Sequence, residues 1–518
     1  MNFDVIYING NMITVDPSLP RASWLAIKDG RIAAIGMNNP PVSQAAKTID
    51  LEGRTVLPGL IDSHAHGTTT GWGLNSANVV ACANVQEVID AMAKAVEEST
   101  GGPDEWIFGT GMNILTLAEG RAPTRWELDA ISGDHPVFIA YVTLHGVAAN
   151  TKAMELLNID PNMPGVERNE AGELTGSYTS DESSFLAISK ALGFLDDEVL
   201  AKYIRDCANF AASRGVTTLH SLNGMFVEQD RDFFMWLNMK DSLPIHVVDY
   251  FQCTNVNLAV ALGLPRIGGC LTLDGTGFEG TMAVTEPFNH MPDSNGVLYW
   301  TDEEVYKFVS KAHKAGLQVG MHCLGNRAIE QLLSTYERVI KEQGNPKGLR
   351  HRIEHFALCT PDQIKRAVAL GLVLPMQPVF TWYWDNPDIP GGDTYEYVLG
   401  RKRADEIDPL SKIVEAGGII CGGSDSAVTE IDPLLGIHAA ANAPNPIRRV
   451  SLDEAIKMFT INGAYAAGEE NEKGSLEVGK LADLTILNRD PYAEQADIKD
   501  FIVEATVVAG KTVYTRPL

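Results

Sequence analysis

The chain has 518 residues, 45% hydrophobic and 21% charged, with a formal net charge of −26. That length exceeds one ordinary domain and suffices for a large core. The composition is that of a globular protein, and the acidic excess argues against nucleic acid or an anionic membrane as partner. The N-terminus shows no basic stretch followed by an apolar core, so no signal peptide is expected. No apolar run reaches the roughly 18 residues of a membrane span. Seven scattered cysteines, an odd number, fit a reducing cytoplasm better than a disulfide framework.

Taken in order, residues 5–8, 12–15, 23–27, 31–35 and 47–51 are short β-like pieces. Turn signals at Asn9-Gly10, Asp29-Gly30 and Glu52-Gly53 separate them. The C-terminal end repeats the pattern at 482–487, 502–508 and 512–514. Residues 1–55 and 471–518 are therefore expected to pair into one composite β-sandwich. The middle holds eight apolar, β-branched runs, each ending in polar residues: 56–61, 216–219, 245–248, 267–273, 317–321, 350–354, 372–376 and 419–424. Amphipathic stretches such as 302–315, 328–342, 361–369 and 409–416 lie between them. Eight alternations of strand and helix predict an α/β chain folded as a (β/α)8 TIM-like barrel over 56–66 plus 201–470. Residues 67–200 carry elements of their own, at 85–99, 136–143 and 151–157. They are too long for a structureless loop and read as a domain inserted after strand 1, over the barrel mouth.

Functional side chains of such a barrel sit at the C-terminal ends of its strands. His64 and His66 end the first run, and positions i and i+2 of an extended chain face one way. Two imidazoles can thus grip one metal ion. Cys270, His322, His355 and Asp425 stand in or at the ends of the fourth, fifth, sixth and eighth runs. Together they form a nitrogen, sulfur and oxygen donor set suited to zinc or a similar divalent ion. Each has a bland reading alone, as a surface or satisfied histidine, a small buried hydrophobe or a turn aspartate. The convergence of several strand ends is what favours a metal.

Pro58-Gly-Leu-Ile-Asp-Ser-His-Ala-His66 and Gly422-Gly-Ser-Asp425 resemble the amidohydrolase superfamily. His145-Gly-Val-Ala-Ala-Asn150, His322-Cys-Leu-Gly-Asn-Arg-Ala328, His351-Arg-Ile-Glu-His355 and Met376-Gln-Pro378 are similar to its amidohydrolase-3 branch. That branch holds the YtcJ-like proteins, N-substituted formamide deformylase among them. The likeness covers nearly the whole chain. It implies the composite sandwich and a two-metal centre bridged by a carboxylated lysine in strand 4, within Gly-x-Lys-x-Phe-x-Asp-Gly. The matching segment, Gly268-Gly-Cys-Leu-Thr-Leu-Asp-Gly275, has Cys270 at the lysine position. A thiolate can bridge two metals, as in the related D-aminoacylases; the alternative is that Cys270 fills the barrel beside a single metal. One or two Zn2+ per chain are expected, two favoured, with another divalent metal open.

The resemblance also makes His145 a candidate for substrate contact, while His220 is a candidate for the pocket or for supporting it. Arg327, Gln377, Trp72 and Trp382 are further pocket candidates, and Asp181 and Glu182 read equally well as helix-cap or surface residues. The implied reaction is hydrolysis of a non-peptide C–N bond (amide, N-formyl or N-acyl, or cyclic amide) by a metal-activated water, with Asp425 as both ligand and proton shuttle. Alternatives are a deaminase, a hydantoin or cyclic-imide hydrolase, and a metal- or ligand-binding protein without catalysis. A small molecule is the expected partner, and a homo-oligomer is open. No Gly-x-Gly-x-x-Gly follows a strand, which argues against a dinucleotide site.

Overall fold

The computed structural model describes residues 2–389, 391–493 and 497–517. At the β-rich ends, Asn9, Asp29 and Glu52 take left-handed backbone (φ 54, 50 and 53), at the turns read from the sequence. One sheet has the order Arg31–Gly36, Trp24–Lys28, Phe3–Ile8, Ala45–Asp50. A second interleaves both ends of the chain. N-terminal Arg21–Ala22, Asn11–Ile13 and Thr55–Pro58 continue directly into C-terminal Leu484–Leu487, Val503–Val508 and Lys511–Thr515. Leu484 pairs with Pro58 and Leu487 with Thr55, antiparallel. Tyr7, Leu25 and Ile27 of the first sheet share a buried core with Met12, Val56, Ile486 and Val507 of the second.

The run expected as one strand over 56–61 is split. Thr55–Pro58 belongs to the terminal sheet, and a separate strand, β1 (Leu60–Ala65), begins after Gly59. The Gly59 amide donates to the Asp483 carbonyl at 2.8 Å. A Cβ on Gly59 would stand 2.1 Å from Thr217 Oγ1, so only glycine passes there.

Seven further parallel strands follow: β2 (Val216–Asn223), β3 (His246–Phe251), β4 (Arg266–Thr272), β5 (Gln318–Cys323), β6 (Glu354–His355), β7 (Val373–Met376) and β8 (Ile419–Gly422). Ladders join β1–β2–β3, β4–β5–β6 and β7–β8 in chain order. Single bridges link Arg352 to Val373 and Ala65 to Ser426. Val248 and Tyr250 of β3 pack with Cys270 of β4. Only the end of the sixth run, expected over 350–354, forms a ladder. His355 and Phe356 both turn left-handed there (φ 69 and 48), which ends the strand at His355.

Helices Asp302–Ala315 and Pro361–Ala369 match the sequence reading, and each opens with a capping box, Thr301 with Glu304 and Thr360 with Gln363. Their apolar faces bury Val305, Val309 and Ile364 against Ile267, Val319, Met321, Leu374 and Ile420 of the parallel strands. Residues 67–200 build a six-stranded sheet, in the order Val166–Arg168, Leu174–Tyr178, Val147–Ala149, Val137–Tyr141, Ile107–Met112, Ala77–Asn78. Among the described residues no helix is long and apolar enough to cross a membrane.

Candidate metal centre

Ends of β1, β4, β5, β6 and β8 meet at one buried point. Donor atoms of His64, His66 and Asp425 lie within 4.8 Å of one another, as do those of His64, Cys270 and His355. His64 is common to both triples. His322 stands outside both, but its Nδ1 is 3.6 Å from Cys270 Sγ, and His355 Nε2 is 3.7 Å from the same sulfur. Asp425 Oδ1 is 3.1 Å from both His64 Nε2 and His66 Nε2. Asp425 holds this position in left-handed backbone (φ 54), its amide donating to the His64 carbonyl at 2.8 Å.

Each of the four histidines has one ring nitrogen set against an acceptor outside the cluster. His64 Nδ1 donates to Glu354 Oε2 at 2.7 Å, His66 Nδ1 to the Leu222 carbonyl at 3.4 Å, His322 Nε2 to the Gly275 carbonyl at 3.4 Å, and His355 Nδ1 to Gln377 Oε1 at 2.8 Å. This leaves His64 Nε2, His66 Nε2, His322 Nδ1 and His355 Nε2 as lone pairs turned inward. That is how second-layer acceptors fix the tautomer of metal-binding imidazoles. His64 Nε2 and Asp425 Oδ1 are buried and make no hydrogen bond despite their proximity. Buried polar atoms are rarely left so, and a cation between them would satisfy both. The donor set therefore fits a divalent metal.

When no cation is bound, and against the cost of burial, the same inward nitrogens hold protons shared with the acidic groups, which raises the pKa values of His64 and His66. Burial disfavours the Asp425 carboxylate, yet His64 and His66 beside it hold its pKa well below the usual range. Burial likewise favours the Cys270 thiol, but His64, His322 and His355 around it draw the group toward thiolate. Beneath them, Arg352 donates twice to Glu354, at 2.7 Å each, and to the Ser63 carbonyl at 2.8 Å, with no exposed side-chain surface on either partner. The guanidinium, 4.3 Å above the Tyr250 ring, keeps Glu354 ionised against the cost of burial.

The other sequence candidates are dispersed. His145, on the inserted segment, does face the centre, its ring 5.7 Å from that of His322. His220 does not line the cavity. It lies buried beneath, with Nδ1 accepting from Arg352 Nη1 at 3.2 Å, and burial plus that cation keep it neutral. Gln377 is buried behind His355 and supports that ligand candidate rather than a substrate. Trp72 is fully buried edge-on to Phe108 in the core of the inserted segment, at 5.4 Å. Trp382 turns away to His438, at 4.9 Å. Arg327 lines a separate surface groove, donating to the Asn295 carbonyl at 3.3 Å.

Glu354 and Arg352 carry no signal of their own in the sequence beyond lying inside the His351–His355 motif, and Trp384 carries none. Two residues apart on the helix Pro378–Trp384 means opposite faces, so Trp384, not Trp382, lines the cavity beside Phe380. Asp181 is buried, with Oδ1 2.6 Å from His145 Nδ1.

Imidazole, thiol and carboxylate donors gathered at the ends of parallel strands define a candidate metal centre. A model of the amidohydrolase family matches residues 47–514, and the chain belongs to that family. It is 28% identical to the protein LONG AFTER FAR-RED 3 of Arabidopsis thaliana, over 99% of this chain and 91% of that one. It is 25% identical to N-substituted formamide deformylase of Arthrobacter pascens, over 99% and 98%. Among solved structures, an uncharacterized metal-dependent hydrolase from Pyrococcus horikoshii superposes with a TM-score of 0.76 at 26% identity, covering 95% of this chain and 98% of that one.

Proposed function

We propose that the protein hydrolyses a non-peptide C–N bond of a small-molecule amide at a two-zinc centre. The centre is held by His64, His66, Cys270, His322, His355 and Asp425. The observation that carries this reading is the common arrangement of the four histidines, each tied by one nitrogen and presenting the other. When bound, a divalent cation at such a site acidifies water toward neutral pH and polarises a carbonyl. Asp425, pinned between His64 and His66, is placed to take the proton from the attacking water and return it to the leaving nitrogen. The C–N bond breaks, the hydroxyl stays on carbon and the proton goes to nitrogen. Cys270 lies between His322 and His355 on one side and His64 on the other, where a thiolate would bridge two ions. The similarity to a formamide deformylase supports amide rather than peptide chemistry.

We read the eight parallel strands as a (β/α)8 barrel that starts at Leu60 rather than at residue 56 and also takes in residues 201–470. The strand order and the Ala65–Ser426 bridge support closure. The two terminal sheets are read as a composite sandwich that also takes in Val56–Pro58, and residues 67–200 as a domain over the mouth. Seven free cysteines support a reducing, cytoplasmic setting. The test is metal content by mass spectrometry together with amine release from a panel of simple amides. About two divalent ions per chain and release that stops on chelation are expected. Metal-loaded, folded protein that releases no amine would refute the reading. A metal count near one, unchanged in Cys270→Ala, would refute the bridge.

A further inference from the structure

The cavity that opens off His322, His355 and Asp425 has a volume of about 40 Å³. By this measure one water needs roughly 10–15 Å³, and ions held by the ligand residues would take part of that space, so only a very small group fits beside them. Phe278, Met282, Phe380, Trp384, Ile407 and Val428 wall it, as part of a buried apolar cluster or packed against it. Among the described residues no lysine or arginine lines it. Its one basic side chain besides the metal-facing histidines, His145, is already engaged by Asp181. Glu279 stands behind Thr143, a lining residue, and accepts from its hydroxyl at 2.7 Å. Trp384 and Val428 present their other side to a second cavity, of about 450 Å³.

From this we infer that the centre acts on small uncharged amides: one substituent of the reacting group fills the inner cavity, carries no charge, and is limited in size by Trp384. The inference rests on the hydrolase reading above and adds the substrate class. A carboxylate placed against the apolar wall, away from the ligand residues, would lose its hydration and meet no lysine or arginine, which is strongly unfavourable. A bulky group at both ends of the amide would meet Trp384 and Phe380, whose rings stand 4.9 Å apart. Removing the Trp384 side chain would join the inner cavity to the larger one.

Metal-loaded protein is given N-ethylacetamide, N-acetylalanine (the same skeleton with a carboxylate added), and N-(2-phenylethyl)benzamide, bulky at both ends. Amine or amino-acid release is read as kcat/KM. N-ethylacetamide is expected to exceed each of the others by more than tenfold. Trp384→Ala, or Trp384→Leu should the first variant misfold, is expected to bring the bulky amide within tenfold of N-ethylacetamide without helping N-acetylalanine. Hydrolysis of N-acetylalanine or of the bulky amide within tenfold of N-ethylacetamide by the native protein would overturn the proposal. If no amide is turned over, the hydrolysis reading falls, and NMR saturation transfer decides the class. Transfer to N-ethylacetamide but not to N-acetylalanine upholds it; transfer to both, or to neither, overturns it.

Discussion

The floor and the walls of the cavity are built on opposite principles. The floor is charged and fully buried: Arg352 grips Glu354, Glu354 grips His64, and His64 faces Asp425. Each of these groups lies in a parallel strand or within three residues of one. The walls are apolar and come from connections between strands, such as Phe278 after β4 and Phe380 and Trp384 after β7. A charge is tolerated in the floor because a countercharge sits within hydrogen-bond distance. None is tolerated in the walls because nothing there would answer it. Chemistry common to a family can thus stay in the floor, while selection among substrates is left to the walls.

The sharpest break of the floor is Asp425→Asn, which removes the proton carrier while keeping the side chain's shape. Turnover is expected to fall roughly 10²- to 10⁴-fold, with metal content partly retained. Turnover near that of the native protein would remove Asp425 from the reaction. Next comes Arg352→Leu, which strands the Glu354 carboxylate in the interior. A loss of stability of about 3–5 kcal/mol is expected from denaturant unfolding of the apoprotein. A loss below 1 kcal/mol would mean that Glu354 is solvated or neutral. Glu354→Gln is milder, since an amide oxygen still accepts from His64 Nδ1. Metal affinity, read by chelator competition, is expected to weaken roughly 10- to 100-fold, whereas Phe380→Ala in the wall should leave it unchanged.

The same division decides what the sequence reveals. Strand ends impose a direction on a side chain, so His64, His66, Cys270, His322, His355 and Asp425 are readable from apolar runs and the polar residues that close them. The structure brings all six together. The walls carry no such period. Trp382 and Trp384 are alike in sequence, and only the helical turn between them assigns one to the cavity and the other to His438. Trp72 follows the His-x-His pair closely and reads as a pocket residue, yet the inserted segment takes it for its own core. Asp181 meets His145 from 36 positions further along the chain, a contact with no local signal. The split of the first strand at Gly59 depends on Thr217 and Asp483, both distant in sequence.

A buried carboxylate away from the floor provides the last and smallest contrast. Asp232 is as inaccessible as Glu354. Its partners are neutral: the Thr68 hydroxyl at 2.9 Å, itself accepting from Trp236 Nε1 at 3.0 Å, and the Gly224 amide at 3.4 Å. With no guanidinium beside it, burial pushes its pKa up to about 6, whereas Glu354 is held down. The folded pKa lies above the unfolded one, so the contribution of Asp232 to stability is complete below the unfolded value near 4. It is lost as the pH rises through about 6. Between pH 5 and pH 8 this single group should cost on the order of 1 kcal/mol, at about 1.4 kcal/mol per pKa unit. In Asp232→Asn that part of the pH dependence should vanish, because an amide keeps the Thr68 hydrogen bond and has no charge to bury. Urea unfolding of both proteins at the two pH values reads the difference directly. An unchanged slope would mean that Asp232 is ionised throughout, stabilised by something other than the neutral partners around it.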